Sequence, residues 1–196
     1  MDLSTCHKQL LKFVLMIYKP ISIKLISDRI RQMPEIIVIA HNIRSTHNIG
    51  AIFRSSEGFG VSRIIISGYS PYPKLPAGDS RLPHLSEKLT DQIHKTALGA
   101  ETMVPFEHAD SPDLDLLRTQ GYRIVGLEQD QRSVMLNDYE TPEKIALLLG
   151  EEVSGITDDM REMCDDLIEI PMVGTKESFN VSVATGIALY GLTISK

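Results

Sequence analysis

Five short apolar runs rich in β-branched residues constrain the fold of this chain more than any other feature: Ile36 to Ala40, Arg63 to Ser67, Tyr122 to Leu127, Ile145 to Leu149 and Leu167 to Ile170. Each gives way to polar or glycine-containing sequence, so they read as buried strands. Between and after them lie segments with helical spacing: Asn48 to Gly58, Ser86 to Leu98, Pro112 to Gln120, Thr157 to Asp165 and Ser178 to Ile194. Strands alternating with helices require crossover connections. The expected class is therefore α/β, a mostly parallel sheet with helices on both faces. A chain of 196 residues, 42% hydrophobic, is long enough for one substantial core. In such sheets ligands bind outside the carboxyl ends of the strands, so the residues just past each run are the first candidates for chemistry.

Several classes are set aside by simpler features. Cys6 and Cys164 are far apart and match no metal-ligand or redox spacing, which points to free thiols, a reducing compartment and no metal site. The apolar run from Leu10 to Tyr18 is interrupted by Lys12, ended by Lys19-Pro20 and followed by no small-residue cleavage site. It is also too short to span a bilayer, so an amphipathic helix and a cytoplasmic protein are expected. The net charge of −6 is unevenly spread: residues 1 to 100 carry 13 Lys and Arg against 7 Asp and Glu, and residues 101 to 196 carry 7 against 19. A local basic surface for a phosphate backbone is compatible with that asymmetry, though not demanded by it.

Three stretches at strand ends stand out. The first runs from His41 to Arg54, where Asn48 or Thr46 can cap the following helix and Arg54 lies within its second turn. A surface arginine on a capped helix is the plainer account of that stretch alone. The second, Leu147 to Ile156, turns through Gly150, Glu152 and Gly155; glycines there allow positive φ or close backbone approach to a ligand. It matches neither the dinucleotide fingerprint nor the phosphate-loop pattern. The third runs from Ile168 to Ala184 and leads through Gly174 into a helix capped by Ser or Asn, with small residues along one side. The longest loop candidate, Gly68 to Pro83, carries four prolines, two tyrosines, Lys74 and Arg81. It suits stacking on bases and pairing with phosphates about as well as it suits a solvated surface loop.

In this order the three stretches resemble the motifs of the SpoU/TrmH-type RNA 2′-O-ribose methyltransferases of the SPOUT superfamily. Asn48, Gly50 and Arg54 match the first motif, Gly150, Glu152 and Gly155 the second, and the stretch IPMVGTKESFNVSVA the third almost residue for residue. Phe179 stands where leucine is common in the family. The resemblance covers residues 36 to 194. It implies a C-terminal deep trefoil knot, S-adenosylmethionine as cofactor, and transfer of a methyl group to a ribose 2′-hydroxyl of tRNA or rRNA. No periodicity argument leads to a knot, because true knots are rare exceptions to the rules of chain connection.

Carried over residue by residue, the cofactor site comprises Leu127, Gly150, Ile170, Met172, Phe179 and Asn180. The catalytic set comprises Arg54, Asn48, Glu152, Ser178 and Asn180, with Arg54 acting as base or through a substrate phosphate and contributed across a homodimer interface. Arginine is protonated at neutral pH as a rule, which favours the phosphate-assisted version. Arg44, Lys74 and Arg81 are candidate RNA contacts. The expected domains are an N-terminal helical extension, residues 1 to 35, and the methyltransferase domain, 36 to 196. Many relatives carry a separate N-terminal RNA-binding module, for which this extension is too short. Its Lys8, Lys12, Lys19, Lys24, Arg29 and Arg31 make it a candidate RNA arm, although a solvated helix face accounts for them as well. A catalytically idle RNA-binding relative is the main alternative. A dinucleotide-binding enzyme is disfavoured by the missing glycine-rich fingerprint.

Overall fold

The computed structural model describes residues 33 to 194. The amphipathic helix and basic arm expected before residue 33 lie outside the described residues, as does Cys6. Seven strands form one sheet: β1 (Glu35–His41), β2 (Arg63–Ser67), β3 (Phe106–Ala109), β4 (Arg123–Leu127), β5 (Val134–Met135), β6 (Lys144–Leu149) and β7 (Asp166–Glu169). Their spatial order is β3-β2-β1-β6-β4-β7-β5, and all six neighbouring pairs are parallel. Among the described residues five α-helices accompany them: α1 (Thr46–Gly58), α2 (Pro83–Ala97), α3 (Leu114–Thr119), α4 (Asp158–Glu162) and α5 (Val181–Thr193).

Why the central strands are uniformly apolar follows from the two cores. On β1, Ile36, Val38 and Ala40 face one layer, which also takes Ile49, Ile52 and Phe53 of α1, Ile93 of α2, and Ala188, Leu189 and Leu192 of α5. Ile37 and Ile39 face the other, with Leu114 and Leu117 of α3, Ile124, Leu148 and Ile156. With helices on both faces, a strand has no solvent side and no need of polar alternation. Burying each such side chain contributes roughly 1.5–3 kcal/mol. Helix α1 is pressed close to α2 at Gly50, where an added Cβ would lie 2.3 Å from the Ile93 carbonyl oxygen.

Sequence periodicity missed β3 and β5. Both are the outer strands of the sheet, and an edge strand has one partner and less to bury. Residues 106–109 are only partly covered, and β5 is two exposed residues long. Two expected helices are also shorter than their apolar spacing suggested, α3 ending at Thr119 and α4 at Glu162. Cys164 is a free thiol, pushed up to about 11 by burial. No helix among the described residues is long and apolar enough to cross a membrane.

Candidate active site

The three motif stretches are far apart in sequence and meet at the carboxyl ends of β1, β6 and β7. Residue Glu152, just past β6, accepts hydrogen bonds from the main-chain N–H groups of Arg44 (3.1 Å) and Ser45 (3.2 Å) and from Asn48 Nδ2 (2.8 Å). Asn180 Nδ2 in turn donates to Asn48 Oδ1 (3.1 Å). One chain of side chains, Glu152 to Asn48 to Asn180, thus joins all three motifs. Burial opposes ionisation of the Glu152 carboxyl, but the N–H groups of Arg44, Asn48, Glu152 itself and Ser45 outweigh it and hold the group below its ordinary value.

The caps differ in part from expectation. Helix α1 is capped by Ser45, which accepts from the Asn48 N–H at 3.3 Å, and not by Asn48 or Thr46; this leaves the Asn48 amide for Glu152 and Asn180. Helix α5 is capped by Asn180, whose Oδ1 accepts from Ser182 N (2.9 Å) and Val183 N (3.4 Å). Ser178 lies before the helix and takes no part in its cap.

Beside this chain a cavity of about 150 Å³, partly open to solvent, is bounded by the ends of β4, β6 and β7 and the start of α5. That is the order of space that holds a single aromatic ring. Its apolar wall is Leu127, Leu149, Ile170, Phe179, Val181 and Ala184; its polar wall includes Glu128, Glu151, Glu152, Glu169 and Ser178. The two glycines of the second motif shape it. A Cβ on Gly150 would sit 2.2 Å from the Gly155 carbonyl carbon, because the turn closed by the Glu151–Gly155 bridge folds back onto it. Gly155 has φ +66°, and its Cα faces the Glu128 carboxylate, which accepts the Ile156 N–H at 2.7 Å. An apolar wall for a flat neutral ring and carboxylates for positive charge suit a ligand such as S-adenosylmethionine.

Of the expected cofactor residues, Leu127, Gly150, Ile170 and Phe179 line the cavity. Met172 and Asn180 do not. Met172 Sδ instead accepts from Gln129 Nε2 at 3.7 Å, and the Asn180 amide is engaged by the α5 cap and Asn48. Glu152 and Ser178 of the expected catalytic set line it as well. Arg54 is elsewhere: exposed on α1, it borders a depression with Gly58, Phe59, Lys95 and Thr96. Glu128, Glu151 and Glu169 were not singled out from sequence, although each stands at or within two residues of a strand end, where the general rule for such sheets directs attention.

The expected RNA contacts separate. Arg44 is ion-paired with Glu151 and keeps its side chain 61% exposed. Lys74 pairs with Glu87 at 3.4 Å. Arg81 is committed within its own loop: Nε and Nη2 donate to Asp79 (2.9 and 2.6 Å), Nη1 to the Tyr72 carbonyl (2.8 Å) and Nη2 to the Pro73 carbonyl (2.9 Å). With its side chain only 17% exposed, it holds the loop rather than presenting donors to a phosphate.

A sequence model described as the SpoU rRNA Methylase family matches residues 79–190. The chain is 34% identical over 162 residues to a protein named 23S rRNA (guanosine-2′-O-)-methyltransferase RlmB from Coxiella burnetii, covering 82% of this chain and 58% of that one. It is 30% identical to a protein named tRNA (guanosine(18)-2′-O)-methyltransferase from Aquifex aeolicus, covering 82% of this chain and 69% of that one. Among solved structures, the TrmH/SpoU tRNA modifying enzyme of A. aeolicus superimposes with a TM-score of 0.65 at 27% identity, covering 83% of this chain and 75% of that one. The chain thus spans less than two thirds of the length of its Coxiella relative.

Proposed function

The chain belongs to the SpoU rRNA methylase family, and from that membership and the site geometry we propose that it is an S-adenosylmethionine-dependent RNA methyltransferase acting on a ribose 2′-hydroxyl of tRNA or rRNA. The observation that carries this reading is the Glu152–Asn48–Asn180 chain, which holds the three motifs together beside a cavity walled by four glutamates. When bound, the cofactor supplies an electrophilic methyl group on a positively charged sulfur. Leu127, Ile170 and Phe179 would enclose its neutral ring, and the surrounding carboxylates favour a cation.

Ser178, at the cavity wall, is placed to hold the incoming ribose, and Asn48 and Asn180 orient the surface on which it lies. Arg54 borders a different depression from the cavity of its own chain. This supports a homodimer in which Arg54 of one copy serves the cavity of the other, neutralising a substrate phosphate. Exposed apolar side chains on α5, Val183 and Tyr190 among them, offer surface for such an interface. The segment from Ile170 to Asn180 brings Ile170, Ser178 and Phe179 to the cavity wall, and we propose that it forms part of the C-terminal trefoil knot that the family resemblance implies. We assign the activity to residues 36 to 196, with residues 1 to 35 as an accessory extension, in a cytoplasmic enzyme.

Calorimetry with S-adenosylmethionine and transfer of labelled methyl to bulk RNA from cells lacking the gene test this reading. Saturable binding is expected, with 2′-O-methylation that falls at least 100-fold in Arg54→Ala, the scale for losing a charge-stabilising group. Cofactor binding without methylation of any RNA would favour a catalytically idle RNA-binding relative, and absence of cofactor binding would refute the methyltransferase reading.

A further inference from the structure

Adjoining the glutamate-lined cavity is a second, wider depression of about 670 Å³, walled by residues that include Arg44, Tyr69, Tyr72, Arg81, Gln92 and His108. Arg44 is the shared boundary: its guanidinium pairs with Glu151 and its main-chain N–H with Glu152, both in the cavity wall, while its side chain borders the depression. The two hollows differ sharply in charge. The first holds four carboxylates, whereas the second has no Asp or Glu among the described residues that line it, in a protein of net charge −6. One is built for positive charge and the other tolerates a polyanion.

The depression also offers an aromatic platform on a fixed support. Tyr69 is 55% exposed, and no ring or guanidinium is stacked on it among the described residues. Its main-chain N–H donates to Asn42 Oδ1 (3.3 Å), and Asn42 is itself held at φ +58°. The next residue, Ser70, is buried; its hydroxyl accepts the Ile43 N–H (2.8 Å) and is 3.1 Å from the Ala40 carbonyl oxygen. Tyr72 is already taken: His108 stacks on it with centroids 3.9 Å apart, and the Arg81 guanidinium lies 3.5 Å from its centroid. The loop is thus ordered by its own Arg81 and Tyr72 and by His108 of β3, and leaves Tyr69 as the one unoccupied ring among the described residues of this wall.

We propose that this depression is a subsite for a second nucleotide of the RNA substrate, flanking the one methylated, whose base stacks on Tyr69 while Arg44 and Gln92 supply hydrogen-bond donors beside it. The inference rests on the methyltransferase reading and adds to it that the target is presented in a looped or single-stranded segment, since a base in a duplex is already stacked and cannot offer its face. A protein partner fits less well, because Leu89 is the only large aliphatic side chain among the described residues of the wall.

The 196-residue chain is compared with Tyr69→Phe, Tyr69→Leu and Tyr69→Ala. Tyr69 is exposed, so all four are expected to unfold at the same temperature. With bulk RNA from cells lacking the gene, Leu and Ala should raise the RNA KM roughly 10- to 100-fold, the loss of one base–aromatic stack, while Phe stays near the parent. The KM for S-adenosylmethionine should not move. Independently of activity, short single-stranded RNA containing 5-bromouridine should cross-link on irradiation to the tryptic peptide from Ile64 to Lys74, in the parent and in Tyr69→Phe but not in Tyr69→Ala. An unchanged RNA KM in Tyr69→Ala, a Phe variant as impaired as Ala, or cross-links confined to other peptides would each overturn the subsite. Failure of the parent to bind cofactor would instead overturn the methyltransferase reading, and the cross-link would still report on the subsite.

Discussion

A carboxylate that accepts two main-chain N–H groups and one side-chain amide is held in a single orientation, and Glu152 is such a group. Because its folded pKa lies below the ordinary value, its stabilising contribution is fully present above about pH 4.5 and is lost as pH falls through the depressed value. Glu152→Gln should therefore cost about 1–3 kcal/mol near neutrality, and the gap in melting temperature between parent and variant should close in acid. Asn180 performs two separable tasks, capping α5 with its oxygen and bonding Asn48 with its nitrogen. Asn180→Asp keeps the cap acceptor and removes the donor, so it should melt near the parent but methylate poorly. Asn180→Ala should lose both, with about 0.5–2 kcal/mol of stability. The sequence already marked Asn180 as important; that it faces Asn48 rather than the cavity depends on a partner 132 residues away.

At the level of elements, the turn after β6 explains why two glycines are needed five residues apart. At Gly150 an added methyl meets main chain at 2.2 Å, which cannot move without opening the turn, whereas at Gly155 the nearest atom, at 2.1 Å, is the end of the Glu128 side chain. Gly150→Ala should therefore weaken S-adenosylmethionine binding, measured calorimetrically, more than Gly155→Ala. Adding Glu128→Ala to Gly155→Ala should recover only part of the loss, since about 1–2 kcal/mol of left-handed strain remains. A glycine pair after a strand is visible in sequence. The reason for it is not, because Glu128 comes from a different strand end and belongs to no motif. The same holds for β3 and β5, whose edge positions deprive them of the apolar runs that made the inner strands readable.

For the whole molecule, the separation of Arg54 from the cavity of its own chain gives a decisive mixing experiment. Arg54→Ala and Ser178→Ala should each be inactive as pure proteins. Co-refolding them should restore methylation if Arg54 serves the partner's cavity, because one site of each mixed dimer then has both residues, and should restore none if it serves its own. The sequence by itself determined the α/β class, the inner strands and the identity of the motif residues. These follow from local periodicity and from short spacings that the chain carries with it. Tertiary structure alone decided which of those residues share one hydrogen-bonded chain, that four glutamates wall one hollow while none of the described residues lining its neighbour is a glutamate, and that Arg81 is spent within its loop while Tyr69 is not. Such facts depend on contacts between strand ends distant in sequence, and only the packing of the parallel sheet brings those ends together.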